Sequence, residues 1–145
     1  MATDRPLYIA SCSFGKDSIA TILLALEHNE PLDGAVFAEV MFDNKRGISG
    51  EIPEHIEWIY STAIPKLESM GVHTDVVRSP YDMLHYFFHR RQKGRFTGLL
   101  NGFPVSGRCY ANNELKIRPI QRYCSRMRKS LGGGEISAIC RHCSG

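Results

Sequence analysis

The sequence predicts an α/β protein with a parallel sheet, on three observations. Apolar runs of strand length alternate with longer helical patterns from Leu7 to Arg78. The second run, Ala35 to Phe42, is nearly all apolar, as strands are when both faces of a sheet are covered. A loop of Ser, Gly and charged residues joins the first strand to the first helix.

Leu7 to Ser11 (LYIAS) reads as a buried strand, bounded by Pro6 and the Ser/Gly loop. Ser18 to His28 is rich in Ile, Leu and Ala and reads as a helix, with Pro31 and Gly34 marking the turn after it. Ala35 to Phe42 is the second strand and ends at Asp43, and Asn44 to Gly50 is a polar loop. Pro53 suits the first turn of the next helix, near Glu51 and Glu54. Ile56, Ile59, Tyr60, Ala63, Leu67 and Met70 then share one face. Pro65 should kink that helix and Gly71 should stop it. Val72 to Arg78 is the third strand.

This order is a right-handed βαβαβ unit, whose ligands collect at the carboxyl ends of the strands: Ser11 to Ser18, Asp43, and Arg78-Ser79. Beyond Pro80, Tyr81 to Arg91 reads as a helix with aromatics on one side. Lys93 to Gly107 is a glycine-rich loop with room to act as a lid, and Pro119 opens a helix running to about Lys129.

The 145 residues fit a single domain. Their 43% apolar and 23% charged content is ordinary for a globular chain. No apolar run is long enough to cross a bilayer, and the N-terminus lacks a signal-peptide core, so a cytoplasmic protein without membrane partners is expected. The net charge of +3 hides an asymmetry. From Met83 to Gly134 the one acid is Glu114, among eleven Lys and Arg residues. Such a half attracts anions, including an anionic acceptor or a nucleic-acid backbone, with a solvated helix face as the bland alternative. A homo-oligomer stays open.

The loop Ser13-Phe14-Gly15-Lys16-Asp17-Ser18 carries the chemistry. A strand-to-helix turn aims unpaired backbone N–H groups and the positive helix end at an anion. Gly15 lets a phosphate approach closely, Lys16 adds a point charge, and Ser13 and Ser18 supply hydroxyls. Asp17 is out of place at an anion site unless it caps the helix or helps hold Mg²⁺. The spacing is neither that of a Walker loop nor that of the dinucleotide fingerprint.

The loop resembles the PP-loop, Ser-Gly-Gly-Lys-Asp-Ser, of the N-type ATP pyrophosphatases. Its Phe at the second position is similar to the branch containing phosphoadenosine phosphosulfate (PAPS) reductases. From average residue usage, five fixed residues should arise by chance in on the order of one in ten thousand chains of this length. The resemblance extends to Val40-Met41-Phe42-Asp43 with Glu51-Ile52-Pro53-Glu54, and to Arg108-Cys109 followed by Leu115-Lys116-Ile117-Arg118-Pro119. In place of the usual Asp-Thr-Gly stands Asp43-Asn44-Lys45.

The resemblance implies a Rossmann-like parallel sheet of about five strands, of the adenine nucleotide α-hydrolase type. It implies ATP, adenylyl sulfate or PAPS as substrate, with Mg²⁺, and adenylyl/pyrophosphatase or sulfonucleotide chemistry in sulfur metabolism. It makes Lys16 and Asp17 the catalytic candidates, with Ser11, Ser13, Phe14, Gly15, Ser18, Asp43, Arg78, Arg108 and Lys116 binding the nucleotide. The Glu-Cys-Gly-(Ile/Leu)-His element of true PAPS reductases does not occur, which argues against sulfonucleotide reduction. Two alternatives stand beside this reading: a nucleotide-binding module without turnover, and a tRNA- or DNA-modifying PP-loop ATP pyrophosphatase.

Five cysteines are an odd number for a disulfide framework. Cys109, Cys124, Cys140 and Cys143 would make a four-thiolate site, but only the last two form a close pair, which argues against zinc or iron–sulfur. Cys12 reads as a small core residue. His55, His73, His85 and His89 read as ordinary surface or core histidines. The tail after about Leu131 is atypical and reads as a frameshifted, truncated end, because its codons can be chosen to give Gln-Tyr-Val-Gly-Ile-Ala-Ala in another frame.

Overall fold

A computed structural model describes residues 5–104, 109–130 and 136–139. Strand β1 is Leu7–Ser11, and helix α1 follows at Lys16–Glu27, starting two residues before the apolar pattern does. Strand β2 is Gly34–Ala38, shorter than the apolar run that predicts it. The run splits because its partners run out. β1 pairs with β2 only as far as Ser11↔Val36, and the last bond to the other neighbour is Glu39 N–H to the Val77 carbonyl at 3.0 Å. Beyond that point the chain has no neighbour in the sheet. It folds on itself as an antiparallel ribbon, β3 (Met41–Asp43) with β4 (Ile48–Ser49).

Helix α2 (Pro53–Trp58) starts with Pro53, as expected. It widens into a π-helical turn at Ile59–Ala63 and continues as α3 (Ile64–Ser69). The wide turn lies just ahead of Pro65, whose ring would clash with the carbonyl four residues earlier in a regular α-helix. Ile59, Ala63 and Leu67 are buried along one face, whereas Tyr60 and Met70, expected on that face, are exposed. Gly71 ends the helix at φ +85°, a left-handed conformation that glycine adopts at little cost.

Strand β5 is Thr74–Val77. Asp82 then caps α4 (Met83–Phe88), its carboxylate accepting from the His85 N–H at 2.7 Å. The glycine-rich loop after it folds back on the end of α4, with an Arg90↔Leu100 bridge and the Asn101 N–H bonded to the His89 carbonyl. The last long helix begins earlier than Pro119 suggests. α5 (Tyr110–Asn112) leads through a second π-helical turn, Asn113–Ile117, into α6 (Arg118–Ser130). Pro119 thus sits inside the helix, again just past a wide turn. Strand β6 is Ile136–Ile139.

The described residues give a parallel sheet in the order β5-β2-β1-β6. Alternate residues of each strand face opposite layers. Ala10, Ala35 and Phe37 meet Ile22 of α1 and Ile59, Ala63 and Leu67 of the second helix. Ile9, Val36, Ala38 and Val77 meet Tyr123, Ile120 and Met127 of α6. Helices therefore cover both faces, as expected of a Rossmann-like architecture. No helix among the described residues is long and apolar enough to cross a membrane.

Candidate functional site

The strand order sets the site. From β1 the chain moves outward through β2 to β5, then returns to place β6 on the other side of β1. The carboxyl end of β1 is thus a topological switch point, where open parallel sheets leave a crevice. The residues that occupy it are Ser11 to Ser18.

The loop has a defined shape. Cys12 N–H closes the sheet ladder on the Val36 carbonyl at 2.9 Å, and Phe14 then takes φ 57°. A left-handed conformation costs a large L-residue about 1–2 kcal/mol. Burial of the Phe14 ring offsets it: the side chain is 2% exposed and meets Phe37 edge-on at 5.2 Å between ring centres. Phe14 is therefore the anchor of the loop rather than a surface contact.

Gly15 is the N-cap of α1, and no side chain caps that end. Asp17, one turn-position inside the helix, leaves its carboxylate exposed. Gly15 has an ordinary φ of −76°, and a Cβ there would meet nothing closer than Ser13 Oγ at 3.5 Å. The protein's own packing does not require glycine at this position. Ser18 Oγ donates to the Gly15 carbonyl at 2.9 Å and lies 3.4 Å from Ser13 Oγ. Lys16 is exposed, and neither it nor the Asp17 carboxylate has a hydrogen-bonding or ionic partner among the described residues. Cys12 is buried behind the loop, which pushes its thiol up despite the Phe14 N–H and Ser18 bonds, so it is a weak nucleophile.

The neighbouring strand ends are built differently. Arg78, just past β5, donates from Nε and Nη2 to Glu39 Oε2 at 2.8 and 2.6 Å. Tyr60 donates to the same oxygen at 2.6 Å. Glu39 is 3% exposed. Burial raises its carboxyl, but the bonds from Tyr60 and Arg78 outweigh this and hold it below its ordinary value. This trio was not legible as a unit in the sequence; its one signal was a lone Glu in an otherwise apolar run. Asp43 is buried at the end of β3, accepts from the Lys45 N–H at 2.9 Å and meets Arg46 at 3.4 Å. Asp82 joins that ribbon to α4 by accepting from the Asn44 N–H at 2.8 Å.

Lys116 lies in the second π-helical turn, 3.9 Å from Glu51, and Leu115 beside it is fully buried. Cys109 is half-buried at the start of α5, and Cys124, on α6, packs against the core beneath that helix. Arg108, Cys140 and Cys143 lie outside the described residues, within which no group of three metal-ligating side chains occurs. Ser11 to Ser18 and Arg78 thus lie at the carboxyl ends of β1 and β5, and Asp43 at the end of the ribbon strand β3; of these, Lys16 and Asp17 are the charges without a partner among the described residues. His73 lies 3.4 Å from Asp75, and His85 stacks on Tyr81. Comparison with protein-family models, with curated proteins and with solved structures finds no match.

Proposed function

We propose that the chain binds an adenine nucleotide by its phosphates at Ser13 to Ser18, as a PP-loop protein of the PAPS reductase-like kind. The observation that carries the reading is an uncapped helix N-terminus after β1, at the switch point, beside an unpartnered lysine. Phe14 adds support. It holds a left-handed conformation where the Ser-Gly-Gly-Lys-Asp-Ser form of the loop carries glycine.

Lys16 supplies a positive charge, and the first-turn N–H groups supply donors aimed outward from the helix. Gly15 leaves the backbone open to a phosphate oxygen. Lys16 and the amides stabilise charge that builds on the phosphates as an α–β anhydride bond breaks. Asp17 is the carboxylate that would hold Mg²⁺, which would supply charge to offset that of the phosphates.

A thermal-shift panel with ATP, adenylyl sulfate and PAPS tests the reading, alongside pyrophosphate release from ATP. At least one nucleotide should raise Tm, and Lys16→Ala should remove the shift. No shift with any of the three would sink it. A shift without pyrophosphate release marks a binding module without turnover.

A further inference from the structure

A second anionic site lies away from the loop, where the edge strand of the sheet meets α6. A groove of about 920 Å³ runs between Val76–Pro80 and the face of α6 that carries Arg118, Arg122, Arg126 and Lys129. Its lining contains five Lys and Arg residues, no acid and no aromatic ring.

Two of the five are already engaged: Arg78 with Glu39, and Arg118 with Glu114 at 2.8 Å. The other three, Arg122, Arg126 and Lys129, are exposed and have no acidic partner among the described residues. The acid on the groove's own strand, Asp75, does not line the groove and instead accepts from the Tyr123 hydroxyl at 2.6 Å. The three free cations are spaced four and three residues apart, so they form one stripe along the helix. Seven residues at about 1.5 Å each span roughly 10 Å, the length of about three phosphates of one duplex strand at 3.4 Å apiece.

We propose that this groove binds the phosphodiester backbone of a nucleic-acid duplex. Charge and spacing match the backbone. Recognition of single strands relies on aromatic rings for unstacked bases, and the groove has none. Binding through these phosphate contacts is therefore strongly salt-dependent.

Fluorescence anisotropy with short labelled duplexes tests this, on the full chain. Three phosphate contacts predict an affinity loss of about fortyfold between about 50 and 200 mM salt. The variant Arg122→Gln/Arg126→Gln/Lys129→Gln should abolish most binding and flatten the salt slope by about 2.7, since each contact carries about 0.9. Its melting temperature should match the parent's, because all three side chains are exposed. Arg122→Lys/Arg126→Lys should retain affinity, as a point charge suffices for a phosphate. Duplex DNA and duplex RNA arms distinguish the source, and tight binding of either supports the groove. An unchanged affinity and slope in the triple Gln variant would overturn the proposal. So would a single strand of equal length binding tighter than either duplex. Lys16→Ala should bind duplex as the parent does, so failure here and failure at the nucleotide loop are separable.

Discussion

The carboxyl edge of the sheet holds two polar regions that differ in one respect. Past β2 and β5, Glu39, Tyr60 and Arg78 satisfy one another around a buried carboxylate. Past β1, Lys16 and Asp17 project into solvent with no partner among the described residues, none of which caps the helix end beside them with a side chain. Polar groups that bond one another stabilise the fold. Those held in a fixed frame without partners are arranged for something that arrives from outside. On the function proposed here, the contrast separates a structural network from a binding loop, although both lie where ligands collect in this architecture.

The comparison can be broken most directly at Arg78. Arg78→Ala leaves the Glu39 carboxylate buried with Tyr60 alone. Breaking a buried pair costs about 3–5 kcal/mol, reduced here to about 2–3 because half of the Arg78 side chain is in solvent. Calorimetry should show Tm falling by roughly 5–10 °C, with nucleotide affinity little changed. A stable variant that loses the nucleotide would instead give Arg78 to the binding site.

Gly15→Ala should do the reverse. The new methyl meets only Ser13 Oγ at 3.5 Å, so stability should stay within about 0.5 kcal/mol. Nucleotide affinity by titration calorimetry should fall at least tenfold, about 1.4 kcal/mol, as the methyl stands where the phosphate approaches. Unchanged affinity would mean the backbone there is not approached.

Tyr123 sharpens the comparison from the other face of the sheet, where it ties α6 to Asp75. Burial, then the bond to Asp75, push its phenol above the ordinary value. A raised value means stability is full below about pH 10 and is lost as pH climbs beyond. Tyr123→Phe should cost about 1 kcal/mol at neutral pH and weaken that alkaline loss, seen by denaturant titration across pH.

The smallest effect is at acid pH. Glu39 is held below its ordinary value, so it contributes stability above about pH 4.3 that is lost as pH falls through its folded value. Glu39→Gln should remove part of the acid-side slope of a stability–pH curve.

Much of the frame was legible because local and global signals agreed. LYIAS, the loop and the Ile/Leu-rich stretch each pointed to one element, and β1 and α1 appear within two residues of expectation. Ala35 to Phe42 misled because periodicity cannot say where neighbouring strands end, and pairing with β1 and β5 decides it. Pro119 reads as a helix start from its own chemistry, yet the wide turn before it lets the helix run on from Tyr110. The loop residues of the site were visible as a motif. The Glu39 trio was not, because its members come from three separated segments and meet only in the folded chain.

The two wide turns carry a consequence for how this chain tolerates change in length. Each holds one residue more than a regular helix would use for the same rise, and each ends just ahead of a proline. Deleting a single residue within 59–63 would remove that extra residue and leave a regular α-helix, with the downstream register kept. Leu67 would keep the core face, but the Pro65 ring would meet the carbonyl that the wide turn now displaces. The extra residue between Ile59 and Pro65 is therefore what lets a proline sit inside this helix without that clash.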